Sequence, residues 1–118
     1  MEQRLIIEMA QGVDLHGCDC TKAARRAVEQ ALQGASLPVF GTLGLDRAVM
    51  RVVVHVAVPR PEEVDLDAIA AVLPYGRVEV VVEQGGLDVP VAGDVAVMAV
   101  AALEVFLPAR VSSAGTVC

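Results

Sequence analysis

The segment from Ala48 to Val58 leaves the chain least choice. Met50, Val52, Val54, Val56 and Val58 stand at every second position, with Arg51, Val53, His55 and Ala57 between them. A period of two carried by β-branched residues specifies a strand with one buried face. Pro59 and Pro61 end it. Arg4–Ala10 alternates too, with Leu5, Ile7 and Met9 set to one side and Arg4, Ile6 and Glu8 to the other. So does Arg77–Gln84, where Val78, Val80 and Val82 oppose Arg77, Glu79, Val81 and Glu83.

Between the first two strands the period changes. Ala24, Val28, Ala31 and Leu32 make an apolar stripe at helical spacing over Cys20–Gln33, opposite Arg25, Arg26, Glu29, Gln30 and Gln33. Asp19 is the expected N-cap and Gly34 the stop, with Pro38 beyond it. A shorter helix is expected over Asp65–Leu73, with Leu66, Ile69, Ala70 and Leu73 inward. Val95–Leu107 fits both periods; it is assigned as a strand, and Leu87–Asp94 as connecting chain. The expected fold is therefore α+β, a two-layer sandwich. Two helices cover one face of a four-stranded, mostly antiparallel sheet, in the order β-α-β-α-β-β.

The chain has 118 residues, 55% hydrophobic but only 3% aromatic, so its core has to be built from Val, Ala, Leu and Ile. That length suits one domain, expected over 1–108 with a flexible tail over 109–118. The apolar content excludes disorder. A net charge of −6 argues against nucleic acid and an anionic membrane surface as partners. The start of the chain lacks the pattern of a signal peptide. The apolar run Val95–Leu103 is short of the roughly 20 residues a spanning helix needs. Cys18, Cys20 and Cys118 are then expected to be reduced thiols of a cytoplasmic protein.

The second sheet face is mixed. Arg4, Glu8, Arg51, His55, Arg77, Glu79 and Glu83 are expected on it, among Ile6, Val53, Ala57 and Val81. A solvated face is one explanation. A subunit interface suits its large apolar groups and balanced charges better, most simply in a closed homotrimer.

Chemistry is sought in the loop after the first strand. Asp14, His16, Gly17, Cys18, Asp19, Thr21 and Lys22 fall within nine residues. Capping by Asp19 and turns at the glycines account for much of this. The functional alternative is a small anion or carbonyl site built from backbone N–H groups with Lys22 and His16. Gly85 and Gly86 fit a hairpin or bulge, or a backbone nest that would add to such a site. Lys22 is the only lysine against eight arginines, and lysine, unlike arginine, can act as a base. Lys22, His16 and Asp14 are thus the catalytic candidates. Lys22 and Ser36 bracket the helix at about 21 Å, too far to pair within one chain. No metal is expected, because His16-x-Cys18-x-Cys20 is too tightly spaced for the common zinc arrangements. No cofactor is expected either, since no dinucleotide, P-loop or metalloprotease motif occurs.

The run Glu8-Met9-Ala10-Gln11-Gly12-Val13-Asp14-Leu15-His16-Gly17, followed by Asp19 and Thr21-Lys22-Ala23-Ala24, resembles the Lin-type conserved hypothetical family of small bacterial proteins. Ser36-Leu37-Pro38, Gly85-Gly86-Leu87 and Val89-Pro90 fit the same pattern. That family is similar in fold to one repeat of cyanuric acid hydrolase and barbiturase, whose three units surround a central site with Ser–Lys pairs. The resemblance implies a Toblerone-like homotrimer with inner sheet faces around an axis. Gln84, not serine, precedes Gly85-Gly86, so the amidohydrolase role does not carry over directly. The expected function is small-molecule binding at subunit clefts near Asp14–Lys22. Hydrolysis of cyclic amides and a purely structural assembly role are the alternatives.

Overall fold

A computed structural model of the chain describes residues 2–35, 49–73 and 76–108. The elements run β1 (Glu2–Asp14), α1 (Cys20–Gly34), β2 (Arg51–Val58), a 3-10 turn at Pro61–Glu63, α2 (Leu66–Ala70), β3 (Arg77–Gln84), β4 (Leu87–Val91) and β5 (Asp94–Pro108). The mixed α+β class stands, with two helices on a sheet of five strands rather than four. Expectations for Ser36, Pro38, Ala48 and the 109–118 tail lie outside the described residues.

The sheet order is β1-β5-β2-β3, with β4 also paired to β5. All pairs are antiparallel except β2 with β3. The long β5 organises this arrangement. Its Val100–Phe106 stretch pairs with β2, while its Asp94–Val97 start and Met98 pair with β4. β4 therefore continues the lane of β2 and forms an arm with the start of β5. The chain changes lane from β3 to β4 at Gly85-Gly86. A Cβ on Gly86 would collide with the Met98 carbonyl, and one on Gly85 with Ala57. These glycines serve a close backbone crossing, not a hairpin between paired neighbours.

Leu87–Asp94 had been expected to be connecting chain. Asp88, Pro90 and Gly93 read locally as breakers, but pairing with β5 overrides them, and an outer strand tolerates Pro90. Ala92 and Gly93 close the hairpin with φ of 43° and 87°, positive at both central residues as a tight hairpin requires. In α2, Leu66 is exposed and not inward, because Asp65 caps the helix one residue earlier and aims Ile69 at the core.

The core lies between the sheet and α1. Val52, Val54, Val56 and Val58 meet Val97, Ala99, Ala101, Leu103 and Val105 beneath Ala23, Ala24, Ala27, Val28 and Ala31. With so few aromatics, close approach of backbones does the filling. Gly12 on β1 sits directly under α1, where a Cβ would overlap the backbone of Ala23, Arg26 and Ala27.

β1 does not present the expected face. Its pairing with β5 slips between Arg4 and Ile6, leaving one extra residue on β1, and such a bulge reverses every later side chain. Glu8, Ala10, Gly12 and Asp14 consequently point to the helix side. Ile7 and Met9 are 47% and 71% exposed on the other. Glu8, placed by alternation on the mixed face, lies instead beside Gly34 at the end of α1.

Gly12→Ala is expected to cost about 3 kcal/mol, because α1 or β1 has to shift. Urea unfolding should show a lower midpoint with an unchanged slope.

Candidate functional site

The Asp14–Lys22 loop is held by its own side chains. Asp14 is the one buried charged residue among the described residues, 1% exposed. Its Oδ2 accepts from the Asp19 backbone N–H at 3.0 Å. Lys22 Nζ stands 3.4 Å and Arg26 3.9 Å from Oδ1. Burial alone would push the Asp14 carboxyl up. The Asp19 N–H, Lys22 and the His16 N–H outweigh that and hold it below the usual aspartate range. Gly17 and Cys18, with φ of 93° and 52°, turn the chain so that Asp19 comes back onto Asp14. Asp19 then caps α1, accepting from Lys22 N at 3.0 Å.

The other candidates are also engaged. Thr21 Oγ1 donates to the Glu63 carbonyl and accepts from Asp65 N, tying α1 to α2. His16 Nδ1 lies 3.1 Å from Asp94 Oδ2 at the hairpin end of the arm. Cys18 Sγ faces the Val95 carbonyl, while Cys20 is turned into the core, where burial pushes its thiol up. Arg60 joins Glu63 to Asp88 of β4 and so anchors the arm. The loop thus brings together Asp14, Asp19 and Lys22. Gly85 and Gly86 contact Ala57, Val58 and Met98 instead. Ser36, Ser112 and Ser113 lie outside the described residues. Beside the loop, Lys22, Arg25, Arg26 and Glu29 wall a depression of about 180 Å³.

The second candidate region is the sheet face that neither helix covers. Strand register arranges it in rows. Arg4, Phe106, Arg51 and Arg77 form one row. Ile7, Glu104, Val53 and Glu79 form the next. Met9, Ala102, His55 and Val81 follow, then Gln11, Val100, Ala57 and Glu83. Val13, Met98 and Leu87 lead onto the arm, where Val89 opposes Ala96. Of the expected face residues, Arg4, Arg51, His55, Arg77, Glu79 and Glu83 are here and Glu8 is not.

The face is polarised along the strands. One end is charged and internally paired. Arg51 meets Glu2 at 2.9 Å and Glu79 at 3.9 Å, and its guanidinium lies 4.4 Å from the Phe106 ring centre. Glu104 accepts from His55 Nε2 at 2.6 Å and from Arg4 at 3.2 Å. The His55 hydrogen bond outweighs burial and, with Arg4, holds the Glu104 carboxyl below its usual range. Toward the other end the face is largely apolar, Glu83 and Asp94 apart. Met9, Leu87, Val89, Val91 and Val100 are each between 40% and 71% exposed, and Ile7, beside Glu104, is 47% exposed. Sequence reasoning missed Glu104, although it sits at an alternate position counted from Ala96. It also missed β4, whose breakers hid the alternation of Leu87, Val89 and Val91.

The fold and these two regions define a small α+β protein with a locked loop and an open, polarised sheet face. The chain belongs to the conserved hypothetical protein family Lin0512_fam, whose model matches residues 4–105. It is similar to the crystal structure of an FtsZ-like protein of unknown function from Nostoc punctiforme PCC 73102. Identity is 40%, over 90% of this chain and 96% of that one, with a TM-score of 0.81. That neighbour is described as FtsZ-like, not as a cyanuric acid hydrolase. No curated protein matches the chain. Among the described residues, no helix is long and apolar enough to cross a membrane.

Asp14→Asn is expected to lower stability by about 2 kcal/mol near neutral pH. The folded state holds this carboxyl as its anion. Its contribution is therefore present above the ordinary aspartate pKa and is lost as pH falls through the depressed folded value. In urea unfolding, the gap between wild type and variant should close on acidification below about pH 4.

Proposed function

We propose that this protein is a self-assembling module, a homotrimer whose chains pack through their open sheet faces around an axis along the strands. The polarity of that face carries the reading. The apolar group from Ile7 to Val100 exposes on the order of 500 Å², the upper end for the largest patch on a soluble monomer. An axis along the strands sets like rows against like rows. Apolar rows then bury one another, and the arginine row (Arg4, Arg51, Arg77) lies next to the glutamate row (Glu79, Glu104), so opposite charges meet diagonally across the interface. An antiparallel twofold would set the arm against the guanidinium rows.

A small polar molecule bound beside the loop is the second reading, favoured by the depression at Lys22, Arg25 and Arg26. Its three cations suit an oxyanion of phosphate size. Cyclic-amide hydrolysis has less support. Gln84, not serine, precedes Gly85-Gly86, and the Lys22 ammonium is engaged with Asp14.

Light scattering over a range of concentrations should give about 37 kDa, three times the 12.3 kDa chain. Met9→Glu and Val100→Glu should each yield a monomer with an unchanged circular dichroism spectrum. A wild-type monomer at every concentration overturns the assembly reading. Calorimetric titration with inorganic phosphate should show binding that Arg25→Ala weakens about tenfold; no heat with the wild type removes the second reading.

A further inference from the structure

Near the centre of the open face one titratable group sits among fixed charges. His55 on β2 donates to Glu104 on β5, which Arg4 on β1 also holds. Four residues earlier on the same strand is Arg51, paired with Glu2 and Glu79. From β3, Arg77, Glu79 and Glu83 face the same side. Among the described residues Glu83 has no ion-pair partner, and it lies diagonal to His55, one row on. On the body of the sheet four carboxylates (Glu2, Glu79, Glu83, Glu104) thus oppose three guanidiniums (Arg4, Arg51, Arg77). Asp94 lies apart at the far end of the arm, paired with His16.

Among the described side chains, the face body carries one excess negative charge with His55 neutral. With His55 protonated it carries none. Bringing like faces together excludes water and strengthens any residual repulsion between them. Histidine is the side chain whose ordinary pKa puts this change between pH 5 and 8.

We infer that assembly through the open face is coupled to proton uptake at His55, so that copies associate more tightly as pH falls toward 6. The inference rests on the assembly proposed above and names its regulation. Protonated His55 keeps its bond to Glu104 as an ion pair, so the face is neutralised without rearrangement.

Sedimentation velocity at pH 8.0, 7.0 and 6.0, at constant ionic strength, tests it. The concentration at half-assembly is expected to fall about tenfold from pH 8.0 to 6.0. His55→Gln, which keeps a donor for Glu104, should assemble with a flat profile. His16→Gln should keep the wild-type slope, since that ring sits in the loop after β1 against Asp94 at the end of the arm. A wild-type oligomer with no pH dependence overturns the coupling and leaves the assembly standing. A slope retained in His55→Gln, or lost in His16→Gln, overturns the assignment to His55. A monomer at every pH overturns both.

Discussion

The buried carboxylate of Asp14 is the point on which the molecule is organised. It ends β1, takes the N–H that begins the turn into α1, and faces Lys22 and Arg26 on the first two turns of that helix. A buried anion is tolerated only when donors surround it, and removing one partner costs more than the pair itself contributes. The loop therefore has a single low-energy path. α1 starts where Asp19 caps it and descends onto β1 where Gly12 has no side chain. Residues that resemble a catalytic cluster in the sequence act here chiefly on one another.

Locking the loop has a consequence on the opposite side of the sheet. Because α1 is drawn tightly over β1 and β5, both helices occupy one face and neither protects the other. The β4–β5 arm lengthens this unprotected face and adds Leu87, Val89 and Val91 to it. The charged end satisfies its own groups through Glu104 and Arg51, whereas nothing among the described residues covers the apolar end. Apolar surface on that scale is stabilised by burial against another surface. That asymmetry makes assembly, rather than chemistry at the loop, the stronger reading of what the fold is built to do.

Much of this was legible in the residues. The valine alternation of β2 and β3, the helical stripe of α1, the Asp19 cap and the mixed character of the second face all follow from local periodicity and side-chain chemistry. Glu8 and Met9 exchanged places for a reason that periodicity cannot carry. One bulge between Arg4 and Ile6 reverses the strand, and its position is set by how β1 meets β5. β4 was hidden because Pro90 and Asp88 are poor strand residues whose pairing partner lies across the hairpin.

The sequence by itself determined the strands β1, β2 and β3 and the two helices, and that a core of small aliphatic side chains needs closely packed backbones. Those properties depend on neighbours within a few residues. The tertiary structure alone decided which face of β1 is buried, that Gly85-Gly86 carries a lane change, that Asp14 is a hub, and that Glu104 binds His55. Each of these depends on groups distant in the chain whose contact is set by strand register, and register is settled only when the whole sheet packs against α1.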